Sequence, residues 1–570
     1  MTAIFSTYGL TFNFRQAGFV ILLLLCRNNG IHAQEQVLKS AGAAEKILAT
    51  RGEVIIRFAK PSHISMDDLS GFLSIDNYWN DTVVAYANDQ GYRQFLQLQI
   101  DYELLQPPSM KKQEHCKKVE SDWHNKYPSY TEYLNLMQGF ASEFPDICRL
   151  REFGQSISGR KLLALKITRN PDDREKEPVI LYTAGIHGDE PLGTILMLRL
   201  AEYLLMNYAT EDDARKLIDR LEIWINPMAN PDGTYFLSDT SVAGAVRFNA
   251  AQVDLNRDFP DIRNNNWAGM NRQAETEAMM NFMKEIRPAL SAGFHGGVEV
   301  VNYPWDTWSR LHADDSWYRS ISRAYADTVH HYSENGYMTF QDNGITNGYA
   351  WYSVYGGRQD YVNCLLHGRE VTIELSNDKM PAEDKLDVYW NYNKKSLLQY
   401  SGRALTGIAG DVNDSLTGLP VKAQIRMVQH DRDSSFVLSS SPAGFYSRLA
   451  NEGSYLLQFE APGYQTERHE VLVSDGLLTM LNIKLSPLSK AALYPNPFRN
   501  QVYFFVSEPG DNLVVEVFDL TGRKYTQITR FVSEAGWQEI AVSGLLPGLY
   551  VFNLSYRNQA SQHLMLRAYQ

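Results

Sequence analysis

The sequence predicts an α/β domain with a mixed sheet and helices on both faces, preceded by a small α+β domain and followed by two β-sandwich domains. Three observations point there. From Tyr127 to about Ser401, strand-like apolar runs alternate with long amphipathic segments. Beyond Ser401 the apolar runs shorten and are punctuated by turns such as Gly418-Leu419-Pro420, Pro442-Ala443-Gly444 and Pro462-Gly463. The chain has 570 residues, whereas one domain usually takes ~100–200.

Each element follows in order. Arg15 and the apolar run Ala17 to Cys26 read as a signal peptide over 1–33, ending at Ile31-His32-Ala33; the run is shorter than the ~20 apolar residues of a membrane span. Leu25 stands before Cys26 where a lipoprotein signal needs a small residue. The region 50–106 holds strands Val54–Phe58 and Val83–Ala87 and helices Met66–Leu73 and Gly91–Gln99. Met110 to Lys126 is polar and reads as a linker. The α/β domain spans 127–401. It has helices Tyr130–Phe144, Leu192–Met206 and Ala274–Ile286, and strands Leu162–Ile167, Val179–Tyr182, Leu221–Ile225, Leu290–Phe294 and Val371–Ile373. The two β-modules span 404–486 and 490–570.

Composition bounds the partners. A net charge of −12 argues against nucleic acid or an anionic membrane as the main partner, and no later segment reads as transmembrane. After signal removal Cys116, Cys148 and Cys364 remain, an odd number without CxxC spacing, so a cysteine metal site is not expected, and one bridge with a leftover thiol stays open.

Chemistry concentrates in four short segments: His187-Gly188-Asp189-Glu190, Asp254-Leu255-Asn256-Arg257, His295-Gly296-Gly297 and Thr372-Ile373-Glu374-Leu375. His187 and Glu190 follow a buried strand and are expected to open a helix, where i and i+3 share a side. His295 ends another strand, and sites in α/β folds gather at such ends. Two imidazoles and one carboxylate suit one zinc ion, with a fourth position left for water. An acid on the strand after Val371 can exchange a proton with that water; Glu374 and Glu370 lie on the same strand face, and the residues alone do not separate them. Arg257 can fork two hydrogen bonds to a carboxylate, and Arg247 can stabilise an oxyanion.

Six ordered motifs over 127–401 resemble the zinc metallocarboxypeptidase family, and most the regulatory branch that includes carboxypeptidases N, E and D: Gly185 to Glu190; Asn226-Pro227 with Asn230 to Gly233; Asp254 to Pro260; His295-Gly296-Gly297 with Asn302-Tyr303-Pro304; Trp351-Tyr352 with Gly356 to Tyr361; and Thr372 to Leu375. The resemblance implies a carboxypeptidase-like sheet with His187, Glu190 and His295 on zinc. It makes Glu374, not Glu370, the general acid/base and gives Arg247 the scissile carbonyl. Asn256, Arg257 and Tyr352 would hold the substrate's terminal carboxylate, with Tyr352 closing over the peptide. Asp306 and Gln359 would line the pocket for the last side chain, where an acid favours Arg or Lys and repels acidic ends. The chain departs from the branch at Asp189, where Asn is frequent; at Arg358, where Met is common; and at Gly368, where Cys is frequent.

The flanks carry resemblances of their own. Gly407 to Val412 with Thr417 to Ala423 resembles the transthyretin-like sandwich that follows such catalytic domains. Leu493 to Phe498, Val517 to Arg523 and Leu546 to Tyr550 resemble the C-terminal sorting domain of type IX secretion cargo. That implies recognition by the type IX machinery of a Bacteroidetes-like bacterium, export through periplasm and outer membrane, and a secreted or cell-surface product. The 50–106 region is similar to a propeptide. The expected function is a secreted zinc carboxypeptidase acting on peptide or protein C-termini with a preference for Arg and Lys. The alternatives are an inactive peptide- or surface-binding protein on the same scaffold, or a hydrolase of cell-wall peptides.

Overall fold

The computed structural model describes residues 42–110, 123–264, 271–439, 443–487, 493–506, 509–534, 536–557 and 559–568. The predicted signal peptide, most of the predicted linker and Cys116 lie outside them. The chain divides into two compact units, one ending at Lys111 and the other beginning at Lys112. The first holds a four-stranded antiparallel sheet in the order Ser74–Trp79, Thr82–Ala87, Val54–Ala59, Tyr102–Leu105, with helices Met66–Ser70 and Asp89–Gln97.

The second unit is built around an eight-stranded mixed sheet. Its order is Ile345–Asn347, Glu299–Tyr303, Glu370–Leu375, Leu290–His295, Val179–Ala184, Glu222–Asn226, Lys161–Ile167, Cys148–Gln155. The inner strands Glu370–Leu375, Leu290–His295, Val179–Ala184 and Glu222–Asn226 run parallel, and the antiparallel pairings lie outside them.

Val179–Ala184 shows why this sequence lies at the centre. All six residues are buried. Ile180, Tyr182 and Ala184 join one core with Ile195, Leu198 and Leu205 of helix Leu192–Asn207. Val179 and Leu181 join another with Met279, Phe282 and Met283 of helix Ala274–Ile286. A period of two sends alternate side chains to opposite faces, and both faces are covered by helices. The amphipathic helix Tyr130–Glu143 starts at Ser129, whose side chain and that of Glu132 cap each other's backbone N–H.

The β-rich end of this unit begins with two sheets. In one, Phe445–Leu449, Gly407–Asp414 and Leu478–Met480 pair in that order, with Ile483–Leu485 also on Gly407–Asp414; the other runs Val437–Leu438, Gln424–Met427, Gly453–Glu460, Glu467–Val473. They enclose a core that includes Ile408, Ile425, Leu457 and Phe459. A second pair of sheets, from Leu493–Tyr494 to Gln559–Arg567, encloses Val502, Val515, Val517 and Phe552.

Candidate active site

The C-terminal ends of three parallel strands, Val179–Ala184, Leu290–His295 and Glu370–Leu375, meet at one place. His187 and Glu190 were expected to open a helix. They lie instead in the turn before it: Glu190 N–H donates to the His187 carbonyl at 3.3 Å, Pro191 is the N-cap and the helix starts at Leu192. A turn suits them better, because it aims both side chains at the neighbouring strand end rather than along a helix face. The turn is held from below. Asn230 Nδ2 donates to the carbonyls of Ile186 and Arg247 at 3.3 and 3.2 Å. A Cβ on Gly188 would lie 2.2 Å from the Gly233 carbonyl carbon, so only glycine permits this approach.

His187 Nδ1 lies 3.1 Å from His295 Nδ1 and 3.0 Å from Glu190 Oε1, and His295 Nδ1 lies 3.0 Å from Glu190 Oε2. All three residues are buried. Nitrogens and oxygens about 3 Å apart match the edge of a tetrahedron with metal–ligand bonds of ~2 Å, which is about 3.3 Å, so the donor set fits zinc. His187 Nε2 faces Asp254 Oδ1 at 3.1 Å, which places the ring proton there and turns the Nδ1 lone pair inward. Burial pushes His295 down to about 4 and keeps it neutral. Burial alone would raise Glu190, but His187 and Lys379 outweigh it and hold the carboxyl well below its usual range.

Around these three lies a charged shell. Arg247 Nη1 donates to Glu190 Oε1 at 3.2 Å and its Nε to Asp254 Oδ2 at 3.3 Å. Lys379 Nζ donates to Glu190 Oε1 and to the Gly296 carbonyl. Neither the Asp254–His187 contact nor Lys379 was read from the sequence as part of the site; Asp254 stood inside a quoted motif, and nothing local marks Lys379. A second acid and histidine group, Asp314, His430 and Asp431, is close enough to hold an ion, but Arg448 already donates to both Asp314 and Asp431.

The two candidate bases on Glu370–Leu375 have different surroundings. Glu374 lies in register with His295 on one side and Val300 on the other. Glu370 lies opposite Ser291 and is buried; it accepts from Ser291 Oγ at 2.6 Å and from Arg358 Nε at 2.9 Å.

Asn256 and Arg257 sit on a single 3-10 turn, Leu255–Arg257, started by Asp254 Oδ1 accepting from Asn256 N–H at 2.8 Å. Asn256 Oδ1 accepts from Arg358 N–H at 2.9 Å, and Arg257 Nη1 donates to the Asn256 carbonyl at 3.0 Å. Tyr352 follows the turn Gly348–Trp351 and packs edge-on against Trp351 at 4.7 Å, beside Val298 and Val300.

Asp306 and Gln359 come together. Asp306 Oδ1 accepts from Gln359 Nε2 at 2.9 Å and from Asn302 Nδ2 at 3.1 Å. The amide oxygens Asn302 Oδ1 and Gln359 Oε1 are buried and without hydrogen-bond partners among the described residues. Asp360 accepts from the Asp306 and Thr307 N–H groups and fixes this loop. Burial and the neighbouring Asp360 hold the Asp306 carboxyl well above the usual carboxylate range. Cys148 and Cys364 are both buried free thiols.

Comparison with known proteins gives two family matches: zinc carboxypeptidase over residues 133–396, and secretion system C-terminal sorting domain over 492–566. Carboxypeptidase M of Mus musculus is 35% identical over 351 residues, spanning 58% of this chain and 77% of that protein. Carboxypeptidase SOL1 of Arabidopsis thaliana is 31% identical over 416 residues, spanning 71% and 81%. Carboxypeptidase D of Drosophila melanogaster is 34% identical over 386 residues, spanning 64% of this chain but 27% of that longer protein.

Proposed function

The chain belongs to the zinc carboxypeptidase family, and from that premise we propose that it hydrolyses the last peptide bond of peptides or proteins, with a preference for C-terminal Lys and Arg. The C-terminal sorting domain supports export by type IX secretion machinery to the cell surface or medium.

Zinc on His187, Glu190 and His295 would supply Lewis acidity toward the scissile carbonyl and the attacking water. Glu374 takes one proton from that water as its oxygen bonds to the carbonyl carbon. It returns the proton to the amine nitrogen as the C–N bond breaks. Arg247 donates to the carbonyl oxygen as negative charge grows there. Asn256 and Arg257 hold the terminal carboxylate, and Tyr352 closes over the peptide. What supports Glu374 over Glu370 is the register of Glu374 with His295 and the engagement of Glu370 with Arg358 and Ser291.

One observation carries the basic preference. Asp306 is 5% exposed and no Lys or Arg forms an ion pair with it among the described residues, while Asn302 and Gln359, whose amide nitrogens donate to it, keep buried carbonyl oxygens without partners. A buried acid without a cation, bonded to two amides that each keep an unpartnered acceptor, is complementary to an incoming cation. The test is residue release by the full-length zinc-loaded protein from peptides ending in Lys, Arg, Phe or Glu. Release of Lys and Arg above the others is expected, with Glu374→Gln lowering kcat by roughly 100–10,000-fold. Release of Phe in preference to both would refute the pocket; undiminished turnover by Glu374→Gln would refute the base.

A further inference from the structure

Arg358 opens the helix Arg358–Leu365, immediately before Gln359. Its side chain is 4% exposed and pairs through Nε with Glu370 Oε1 at 2.9 Å. Nη2 has no hydrogen-bond partner among the described residues. That nitrogen lies 3.2 Å from where a Cβ on Gly293 would stand, so the absent side chain at 293 is what gives the guanidinium its room. The cavity left among Asn256, Gly293, His295, Arg358 and Glu370 has a volume of about 10 Å3, space for one water at most. The cavity thus adjoins both the proposed carboxylate grip and the proposed metal ligands, and a resident cation fills one wall of it.

Glu370 and Gln359 both line this cavity, and Gln359 Nε2 donates to Asp306 Oδ1 at 2.9 Å, so Gln359 links the two acids. Arg358 is already bonded to one of them. Resting on the reading of the pocket as basic-selective, we propose that Arg358 is a specificity-determining residue that makes the pocket select C-terminal lysine over arginine.

Counting acceptors supports this. With Glu370 engaged by Arg358 and Ser291, the acceptors left for a substrate are Asp306, Asn302 Oδ1 and Gln359 Oε1. Three acceptors match the three donors of an ammonium, whereas a guanidinium carries five in a fixed plane. The arginine side chain is also longer and bulkier, and brings its charge nearer the resident cation, where like charges repel. Without Arg358, Glu370 would be open to an incoming guanidinium and could be bridged together with Asp306.

The test compares kcat/KM for two peptides differing only in a final Lys or Arg, on the full-length zinc-loaded protein and on Arg358→Met and Arg358→Met/Glu370→Gln. Taking the Lys/Arg ratio within one sample cancels any loss of folded protein, and the double variant keeps the buried charge balanced. The wild type is expected to favour Lys by about tenfold. Arg358→Met is expected to move the ratio at least tenfold toward Arg, and adding Glu370→Gln to give most of that shift back. A ratio near one in the wild type that Arg358→Met leaves unchanged would overturn this proposal and leave the basic pocket standing. Release of neither Lys nor Arg, with Phe or Glu released, would overturn both.

Discussion

On the proposed function, the protonation state of Asp306 governs the preference between lysine- and phenylalanine-ending peptides. Burial and Asp360 raise its carboxyl well above the usual carboxylate range, Glu370 adds to this, and Asn302 and Arg257 pull the other way. Such a group is neutral at acid pH and becomes an anion only as pH rises through its raised pKa. A lysine-ending peptide should therefore gain over a phenylalanine-ending one as pH rises from acid toward neutral. The ratio of the two kcat/KM values isolates Asp306, because ionisations shared by both reactions divide out. Asp306→Asn should flatten the ratio and lower kcat/KM for the lysine peptide by roughly 10–100-fold, the weight of one charge-assisted hydrogen bond. A ratio that does not change with pH in the wild type would deny Asp306 contact with the substrate.

At the scale of elements, the turn Gly348–Trp351 carries the tightest constraint near the pocket. An ideal Cβ on Gly348 would lie 1.8 Å from Asp306 Oδ1 and 2.9 Å from Asn302 Oδ1. Gly348→Ala should therefore displace Asp306 and raise KM for lysine peptides at least tenfold, with kcat on a phenylalanine peptide little changed; an unaltered KM for lysine peptides would show that the loop yields without cost. Legibility in the sequence also divides by element. The helix Tyr130–Glu143 is legible from its apolar face, and the strand Val179–Ala184 from the continuous apolar run Val179 to Tyr182. The helices Asp315–Tyr332 and Leu386–Gly402 were not read. In the latter, Asn393, Ser396 and Ser401 face the core; Asn393 Oδ1 accepts from Tyr325 Oη at 2.9 Å, and the Ser401 hydroxyl meets that of Tyr182 at 2.9 Å. Buried polar residues bonded across elements erase the apolar period that sequence reading relies on. The same holds at the site. His187, Glu190 and His295 stand out by residue type and local spacing, whereas only the family resemblance separates Glu374 from Glu370. The contacts of Lys379 with Glu190, and of Arg358 with Glu370, depend on which loops and strands the fold brings side by side.

Over the whole molecule, the catalytic sheet and the sandwich after it are joined by buried charge. Arg448, on the sandwich strand Phe445–Leu449, is fully buried and donates to Asp314 Oδ1 at 2.8 Å and Asp431 Oδ1 at 2.6 Å. Arg369, next to the strand that carries Glu374, donates to Asp314 Oδ2 at 2.7 Å and to the Ser435 carbonyl. The pairs at the rim, Arg310 with Asp433 and Lys176 with Asp411, are partly exposed and contribute ~0–1 kcal/mol each. Arg448→Met removes the buried cation that Asp314 and Asp431 share, leaving Asp314 with Arg369 and Asp431 with His430 and the Met427 N–H, and breaking such a buried pair costs about 3–5 kcal/mol. The expected result is a thermal midpoint lowered by roughly 6 °C or more, while Lys release at 25 °C is retained because no proposed catalytic group touches Arg448; a shift under about 1 °C would place the domain coupling elsewhere. The pH dependence has a definite sign. Burial would raise Asp314, but Arg448 and Arg369 outweigh it and hold its folded pKa far below the usual value. A depressed carboxyl contributes stability that is fully present above its unfolded pKa of about 3.9 and is lost as pH falls toward the folded value. The wild type should therefore lose midpoint steeply below about pH 4, and Arg448→Met, having already lost part of that linkage, should fall less.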